Sequence, residues 1–319
     1  MIEPIVYGLS NEQYHRGEEE SRYLSSSQLK WYLKSPRQAK FILDNPQEEK
    51  SDALRFGSLF HDLMACLADA NGMWMQGCEE WEKGLAIFEP PFNSKTGAPY
   101  GNTTKTYTEF YENFLKANAN KQIIGVAEED LIYQMGNSLL NRSGSTSEQV
   151  RKLLKWGKPE VSHFIEYKGC KFKWRPDLET RKKIIDWKTV ATDDLSEENI
   201  NRIILRYDYH ISAPFYQFFS HEQSGVWKQF ILVFVSKIPP HDCVMVDMSN
   251  YGYRYYPDVD IVAQGPGAME FKKLLDLHIK CENEQHWPGA EQSIPDNNGV
   301  RIMEIQPPRY YVNRFIEEI

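Results

Sequence analysis

Hydrophobic and polar positions follow two different periods along the chain, and the change between them falls near residue 159. Before that point, apolar residues recur every three or four positions, which is typical of amphipathic helices. After it, short apolar runs are separated by turn-forming residues, which is typical of strands. The pattern therefore predicts a mostly helical first half, followed by a part that contains a sheet.

The helices predicted for the first half begin at capping residues or follow apolar stripes. Ser25, Ser26 and Ser27 are N-cap candidates, and Pro36 suits the first turn of a helix. Residues 84–107 are interrupted by Pro and Gly and predict a long loop. The predicted helices are 28–34, 36–43, 53–70, 108–118, 127–141 and 146–156.

The second half predicts strands that alternate with helices. Lys168-Gly169 is expected to form a tight turn between the first two strands. The predicted strands are 160–167, 171–177, 183–190, 227–236 and 243–248, and the predicted helices are 196–205, 208–221 and 259–284. No Pro/Gly/Ser linker divides the chain, so we expect one α/β domain over 1–319. It consists of a helical part (1–158), a sheet core (159–285) and a tail (286–319).

Two acidic residues and a lysine form the most informative cluster. Residues two apart in a strand share a face, so Asp186 and Lys188 should project together while Trp187 faces the other side. Asp177 ends the preceding strand, and a hairpin would bring it beside Asp186. Adjacent carboxylates need a cation, and oxygen ligands favour Mg²⁺ or Mn²⁺.

A lysine beside such a metal can orient or deprotonate a water molecule, or stabilise the charge that develops on a phosphate. The cluster therefore suits the hydrolysis of a phosphodiester. The alternative is a solvated strand face with an ordinary ion pair. His61, within the helix predicted for 53–70, is a candidate metal ligand or a structural histidine. Glu160 is a candidate acid near the metal or a solvent-facing strand residue.

Charge is unevenly distributed. The 319 residues carry a net charge of −8, yet residues 151–190 hold twelve Lys and Arg against five Asp and Glu. This stretch could follow a phosphate backbone, or its cations could be ordinary solvated side chains. The candidate DNA contacts are Lys171, Lys173 and Arg175, which belong to this stretch, and Lys95 and Lys105, which lie in or beside the predicted loop.

Other classes of protein are disfavoured. The longest apolar run, near Phe230–Val235, is far shorter than the ~20 residues of a membrane helix. The start of the chain has no basic and apolar leader, and the five cysteines are not closely spaced. We therefore expect a cytoplasmic protein with reduced thiols and no membrane partner. Phosphate-binding loops, dinucleotide turns, zinc helices and nucleophile elbows are absent from the sequence.

The acidic pair, the lysine and the histidine described above make the sequence resemble the PD-(D/E)xK nuclease superfamily. Within it, the sequence resembles the RecE-like (exonuclease VIII-type) and RecB-like clade. The resemblance spans about residues 20–285. Its motifs are Ser26-Ser27-Gln28-Leu29-Lys30, Phe56-Gly57-Ser58-Leu59-Phe60-His61, Trp174-Arg175-Pro176-Asp177, Ile185-Asp186-Trp187-Lys188-Thr189 and the segment from Tyr207 to Tyr216.

The resemblance implies an α/β restriction-endonuclease-like core, a mixed central sheet flanked by helices, with helical additions at the N-terminal side. It implies metal ligands at His61, Asp177, Asp186 and the Trp187 carbonyl, and a catalytic Lys188. It also implies Mg²⁺, with Mn²⁺ as a substitute, and 5′→3′ degradation of linear double-stranded DNA from its ends. A single-strand annealing recombinase as partner, a ring-shaped homo-oligomer and a phage or prophage source follow by the same analogy.

The chain departs from the clade in the helix after the lysine motif. The position expected for glutamine holds Ser212, with Tyr216 four residues later and Gln217 turned about 100° further round the helix. Tyr216 remains a candidate residue beside the site. Three functions stay open: the exonuclease, an endonuclease or single-strand-specific nuclease of the same superfamily, and a DNA-binding protein that does not cleave. The complete set of Asp177, Asp186 and Lys188 argues against the last.

Overall fold

The computed structural model describes residues 2–46 and 51–289. The helices are α1 (Asn11–Arg16), α2 (Ser26–Leu29), α3 (Pro36–Asp44), α4 (Asp52–Asp69), α5 (Trp74–Lys83), α6 (Lys105–Ala117), α7 (Val126–Asn141), α8 (Ser145–Trp156), α9 (Glu197–Arg206), α10 (Tyr209–Ser224) and α11 (Pro266–Glu284). Short 3₁₀ segments lie at Glu20–Arg22, Lys30–Leu33 and Met248–Asn250. None of the helices in this part of the chain is long and apolar enough to span a membrane.

The strands form a central mixed sheet and three smaller ones. They are β1 (Ile5–Val6), β2 (Leu85–Phe88), β3 (Gln122–Gly125), β4 (Lys158–Pro159), β5 (Ser162–Tyr167), β6 (Cys170–Trp174), β7 (Leu178–Glu179), β8 (Lys183–Val190), β9 (Gln229–Ser236), β10 (Cys243–Asp247), β11 (Tyr253–Tyr256) and β12 (Ile261–Gln264). The central sheet has the order β10-β9-β8-β7-β4, in which β8 and β9 are parallel and the other neighbours antiparallel. The sheet β1-β5-β6 lies apart from it.

Helices cover both faces of the central sheet, as the resemblance predicts. Alternate residues of β8 and β9 pack on opposite sides, because side chains alternate along a strand. Ile185 and Trp187 belong to a core with residues of α4, α7 and α8. Ile184 and Phe230 belong to a second core with residues of α9 and α10. The predicted α/β fold, a mixed sheet flanked by helices, is confirmed.

Most predicted elements are present, and the differences have local causes. Residues 259–284 do not form one helix, because Tyr253–Tyr256 and Ile261–Gln264 pair as a hairpin and Pro266 opens α11 at its first turn. The predicted loop 84–107 contains β2, which pairs with β3. Helix α5 was not predicted. The tail from residue 290 onward lies outside the described residues.

The strand predicted for 171–177 ends three residues early, and the next strand, β7, belongs to a different sheet. Strand β6 ends at Trp174, and Pro176, which lacks a backbone N–H, precedes the step to β7 in the central sheet. The turn predicted at Lys168-Gly169 is confirmed, with φ of 51° and 81°. This path matters for the site, because it carries Asp177 from one sheet to the other.

Burial of His278 on α11 predicts a pH-dependent stability. The side chain is 5% exposed, its Nδ1 lies 2.8 Å from the Tyr32 hydroxyl oxygen, and burial lowers its pKa from 6.5 to about 4. Below pH 6.5 the unfolded chain therefore binds a proton that the folded chain does not. The stability that this neutral histidine contributes is complete above that pH and is lost as the pH falls towards 4.

We expect His278 to account for a loss of about 2 kcal/mol of unfolding free energy between about pH 7.5 and pH 5. Urea unfolding of the wild type and of His278→Gln at both pH values measures it. The exposed His286→Gln serves as the matched control. An equal pH dependence in the wild type and His278→Gln would disprove the assignment.

Candidate active site

A cleft of about 610 Å³ opens between α4, β8, α10 and the segment that begins α2. Its walls carry every residue that the sequence predicted for catalysis or metal binding. These residues are His61, Glu160, Asp177, Asp186, Trp187, Lys188 and Tyr216. One wall is open at Gly57 of α4, where a Cβ would meet no heavy atom within 4 Å. The cleft thus contains a group of acidic side chains and free space beside them.

Asp186 and Lys188 share one face of β8, as their spacing predicts. Lys188 Nζ lies 2.6 Å from Asp186 Oδ2, and the two side chains are 19% and 16% exposed. Burial lowers the pKa of Lys188, but Asp186 and Asp177 outweigh it, so the pKa is raised overall. In this cleft Lys188 is an ammonium ion.

Asp177 lies beside Asp186 because β7 pairs with β8. Leu178 is opposite Ile185, which places Asp177 at the next position along the same ladder. Its Oδ2 accepts a hydrogen bond from the Trp187 backbone N–H at 2.6 Å. Burial raises the pKa of Asp177 to about 6; Asp186 adds to the rise, whereas His61 and Lys188 oppose it.

Glu160 reaches the cleft through an unusual backbone conformation. Its φ is +50°, between β4 and β5, so it does not begin the strand as the sequence predicted. A non-glycine residue in the left-handed region costs about 1–3 kcal/mol and persists where the surrounding structure fixes it. Here its N–H donates to the Asp177 carbonyl at 3.3 Å. Burial and the Asp177 carboxylate raise the pKa of Glu160 to about 8, while Arg175 opposes the rise.

Arg175 holds the N-terminal segment against the site. It is 8% exposed and donates to Ser162 Oγ, Asn11 Oδ1 and the Leu9 carbonyl. One of its terminal nitrogens lies 3.9 Å from Glu160 Oε2. Although Arg175 lines the cleft, its donors are engaged with protein groups. This arrangement fits a residue that positions Glu160 better than the predicted contact to DNA.

Lys173 does not fit the predicted DNA contact. It is 2% exposed, and its Nζ donates to the carbonyls of Tyr14 at 2.6 Å and Glu20 at 2.9 Å. Burial, together with Arg175, lowers its pKa to about 8. An ammonium enclosed in this way cannot reach a phosphate. Its contacts attach the segment around α1 to β6.

The other predicted DNA contacts lie away from the cleft. Lys171 is exposed, with its Nζ 5.4 Å from the centroid of the Tyr23 ring, and it lines a separate cavity of about 270 Å³. Lys105 is exposed at the start of α6, 3.6 Å from Glu109, and Lys95 is exposed in the loop before it. Contact between these three lysines and DNA stays a prediction.

His61 bridges two of the predicted metal-binding oxygens. Its Nε2 lies 2.8 Å from the Trp187 carbonyl oxygen, and its Nδ1 lies 3.4 Å from Asp177 Oδ1. Phe60 and Leu63, which flank His61 on α4 and are buried in the core, fix its position. The ring therefore lies beside two of the three groups with which it was expected to share a metal.

The donor set fits Mg²⁺ or Mn²⁺ in its chemistry. Asp177, Asp186 and the Trp187 carbonyl supply hard oxygens, and His61 an imidazole nitrogen. As the side chains stand, no group of three or more His, Cys, Asp or Glu within the described residues is arranged to hold an ion. Asp186 instead faces Lys188. The raised pKa values of Asp177 and Glu160 mark buried carboxyl groups short of positive charge.

Lys30 is a second cation in the cleft that was not among the predicted site residues. Its Nζ donates to the Tyr207 carbonyl at 3.2 Å, and burial together with Lys188 lowers its pKa to about 8. The Nζ atoms of Lys30 and Lys188 lie 5.5 and 5.2 Å from the centroid of the Tyr209 ring. The sequence signal was present in the motif Ser26–Lys30, which supported the resemblance but carried no role.

Helix α10 carries Ser212, which stands at the position expected for glutamine. Ser212 and Tyr216 line the cleft, and the Tyr216 hydroxyl donates to the Arg175 carbonyl at 3.2 Å. Gln217 is 1% exposed and turned away: its amide nitrogen donates to the carbonyls of Lys228 and Tyr253, and its amide oxygen accepts from the Tyr253 N–H. Gln217 is therefore a structural residue and does not replace the expected glutamine.

A mixed sheet with Asp177 directly before β7 and an Asp-x-Lys pair on the adjacent β8, opening into one helix-lined cleft, defines a protein of the PD-(D/E)xK class. The chain belongs to the family described as "PDDEXK-like domain of unknown function (DUF3799)", whose model matches residues 25–293. Membership in this family supports the assignment of the protein as a nuclease.

A search of solved structures gives a similarity to a crystal structure named "Putative exonuclease" from Eubacterium rectale. The two share 16% sequence identity with a TM-score of 0.44, and the similarity covers 96% of this chain and 98% of the other. No curated protein matches the sequence.

Proposed function

We propose that this protein is a Mg²⁺-dependent exodeoxyribonuclease that degrades linear double-stranded DNA from its 5′ ends and leaves 3′ single-stranded overhangs. The observation that carries the nuclease chemistry is the gathering of Asp177, Asp186 and Lys188 with Glu160 in one cleft. The direction of degradation and the requirement for an end rest on the resemblance of the motifs to the RecE-like clade.

Each residue has a distinct part in this proposal. Asp177, Asp186, His61 and the Trp187 carbonyl would hold the metal, which would supply positive charge next to the phosphate and activation of water. Lys188, which lies 2.6 Å from Asp186 in the metal-free cleft, would stabilise the negative charge that develops on the scissile phosphate, or would orient or deprotonate the attacking water.

Glu160 is the candidate proton carrier. Its carboxyl group lies in the same cleft as Asp177 and Asp186, where it could hold or release a proton during the reaction. Arg175 and the Asp177 carbonyl fix its position at 3.9 and 3.3 Å. Mn²⁺ is proposed as a substitute for Mg²⁺, because both prefer oxygen ligands.

End-labelled DNA tests the polarity and the requirement for an end. Linear duplex labelled at the 5′ or the 3′ terminus, and the same sequence as a closed circle, are incubated with Mg²⁺. We expect early release of the 5′ label from linear DNA, late release of the 3′ label and an intact circle. Cleavage of the circle would point to an endonuclease, and binding without any cleavage would point to a non-cleaving DNA-binding protein.

The proposed partners are double-stranded DNA ends, an annealing recombinase that takes over the 3′ strand, and further copies of this chain in a ring. The mass of the purified protein by light scattering tests the last point. We expect a defined oligomer that persists on dilution. A monomer both with and without duplex DNA would remove the ring from the proposal.

A further inference from the structure

A second cleft, of about 730 Å³, lies beside the C-terminal end of α10 and the hairpin β11–β12. This volume is within the range of about 300–1,000 Å³ that is typical of small-molecule sites. Its walls come from the first residues of β8 and β9, the end of α10 and the hairpin. None of the residues proposed for catalysis lines it.

The two clefts are separate because they lie at opposite ends of the same elements. Ser212 on α10 faces the first cleft and His221 faces the second, nine residues further on, which corresponds to about 14 Å along a helix. On β8, Lys188 faces the first cleft and Lys183 the second, about 16 Å apart along a strand. A ligand in the second cleft would therefore not occupy the acidic centre.

One wall of this second cleft is aromatic. The Trp227 ring stacks on His221 with centroids 4.1 Å apart and planes at 14°, and it contacts Tyr253 at 4.8 Å. Tyr255 extends this wall and is 40% exposed. Its hydroxyl donates to Asp260 Oδ1 at 3.0 Å, which ties the ring to its own hairpin. The wall thus offers a fixed aromatic surface to a planar ligand, and bases stack on such surfaces whatever their identity.

The rim of this second cleft carries cations without an ion-pair partner among the described residues. Within residues 2–46 and 51–289, no carboxylate oxygen lies within 4 Å of the side-chain nitrogens of Lys182, Lys183 or Arg254. Two carboxylates, Asp247 and Asp260, also line this cleft, and they accept hydrogen bonds from Gln229 and Ser249 and from Tyr255. Glu179 pairs with Lys228 at 2.9 Å, so Lys182, Lys183 and Arg254 outnumber the two lining carboxylates. Positive charge therefore remains available beside the aromatic wall.

We propose that this second cleft binds a nucleotide, with its base against Tyr255 and Trp227 and its phosphate at Lys182, Lys183 and Arg254. An aromatic platform next to unpaired cations is the combination by which proteins bind single-stranded nucleic acid. The nucleotide can be a unit of a single strand or a free mononucleotide, and both present the same base and phosphate. The assignment does not depend on catalysis in the first cleft.

Binding without metal tests this assignment separately from nuclease activity. Fluorescently labelled oligo(dT) and, in equilibrium dialysis, thymidine monophosphate are titrated in EDTA. The variants are Tyr255→Ala for the base and Lys182→Gln/Lys183→Gln for the phosphate. Lys116→Gln/Lys121→Gln, which removes two exposed lysines that line neither cleft, is the matched control. Thermal unfolding of each variant checks that it is folded.

We expect Tyr255→Ala to weaken binding at least about fivefold, the loss typical of one stacked base, and the control to bind as the wild type does. The double lysine variant should also show a weaker salt dependence. Binding of oligo(dT) alone identifies a strand as the ligand, and binding of the monophosphate a free nucleotide.

Photocrosslinking locates the ligand. An oligonucleotide that contains iododeoxyuridine should crosslink to peptides with Trp227 or Tyr255, and Tyr255→Ala should reduce the yield. Unchanged affinity in both cleft variants, or crosslinks confined to residues of the first cleft, would overturn the proposal.

Discussion

Lys188→Ala is expected to abolish DNA cleavage and to leave DNA binding in place. Removing one preorganised charge from the position where transition-state charge develops costs about 10²–10³ in rate. The substitution removes the Lys188 ammonium group, which lies 2.6 Å from Asp186. Binding should persist, because it depends on phosphate contacts spread over the surface. Single-turnover cleavage of linear duplex and a gel-shift assay in EDTA measure the two effects.

Lys152→Ala is the matched control for this prediction. Lys152 forms an ion pair with Glu148 at the same 2.6 Å separation, but both side chains are 59% exposed. It should cleave as the wild type does, because an exposed pair contributes little. Full activity in Lys188→Ala would show that this lysine has no part in the chemistry. Loss of activity in both variants would show that the assay reports general damage.

Asp186→Asn should remove metal binding together with activity. Asp186 is one of two carboxylates expected to hold the ion, and the asparagine keeps its shape without its charge. Loss of a supporting group near a metal typically costs 10–100-fold in affinity, so loss of a direct ligand should cost at least about 100-fold. Isothermal titration with Mn²⁺ and with Mg²⁺ measures the affinity, and cleavage of linear duplex measures the activity.

The exposed Asp276→Asn provides the comparison, since Asp276 forms a surface pair with Lys272 at 3.9 Å. It should bind metal as the wild type does. If Asp186→Asn bound Mn²⁺ with wild-type affinity, the ion would lie elsewhere and the acidic centre would need another explanation.

The features of the site that depend on neighbouring residues in the sequence were predictable. Strand periodicity placed Asp186 and Lys188 on one face and Trp187 on the other, and the structure has this arrangement. The expected hairpin brought Asp177 to Asp186, because a short turn leaves two antiparallel strands little choice of register. The helix 53–70 with His61 was equally readable from its apolar stripe.

What the sequence could not supply depends on contacts between distant segments. Lys173 and Arg175 sit in a basic stretch, and nothing local shows that Tyr14, Glu20 and Leu9 enclose their side chains. Glu160 belongs to a strand by pattern, yet its positive φ is fixed by Asp177. Strand β12 fell within the helix predicted for 259–284, because its partner β11 was not recognised as a strand.

The measurement that tests the central claim most directly is metal-dependent release of nucleotides from linear double-stranded DNA by the purified chain. Parallel reactions contain Mg²⁺, Mn²⁺ or EDTA, and each is repeated with Lys188→Ala. We expect release with either metal, none in EDTA, and release by the variant slowed by at least about 100-fold. Release that persists in EDTA, release by Lys188→Ala at the wild-type rate, or no release by the wild type with either metal would contradict the assignment of this cleft as a metal-dependent nuclease centre.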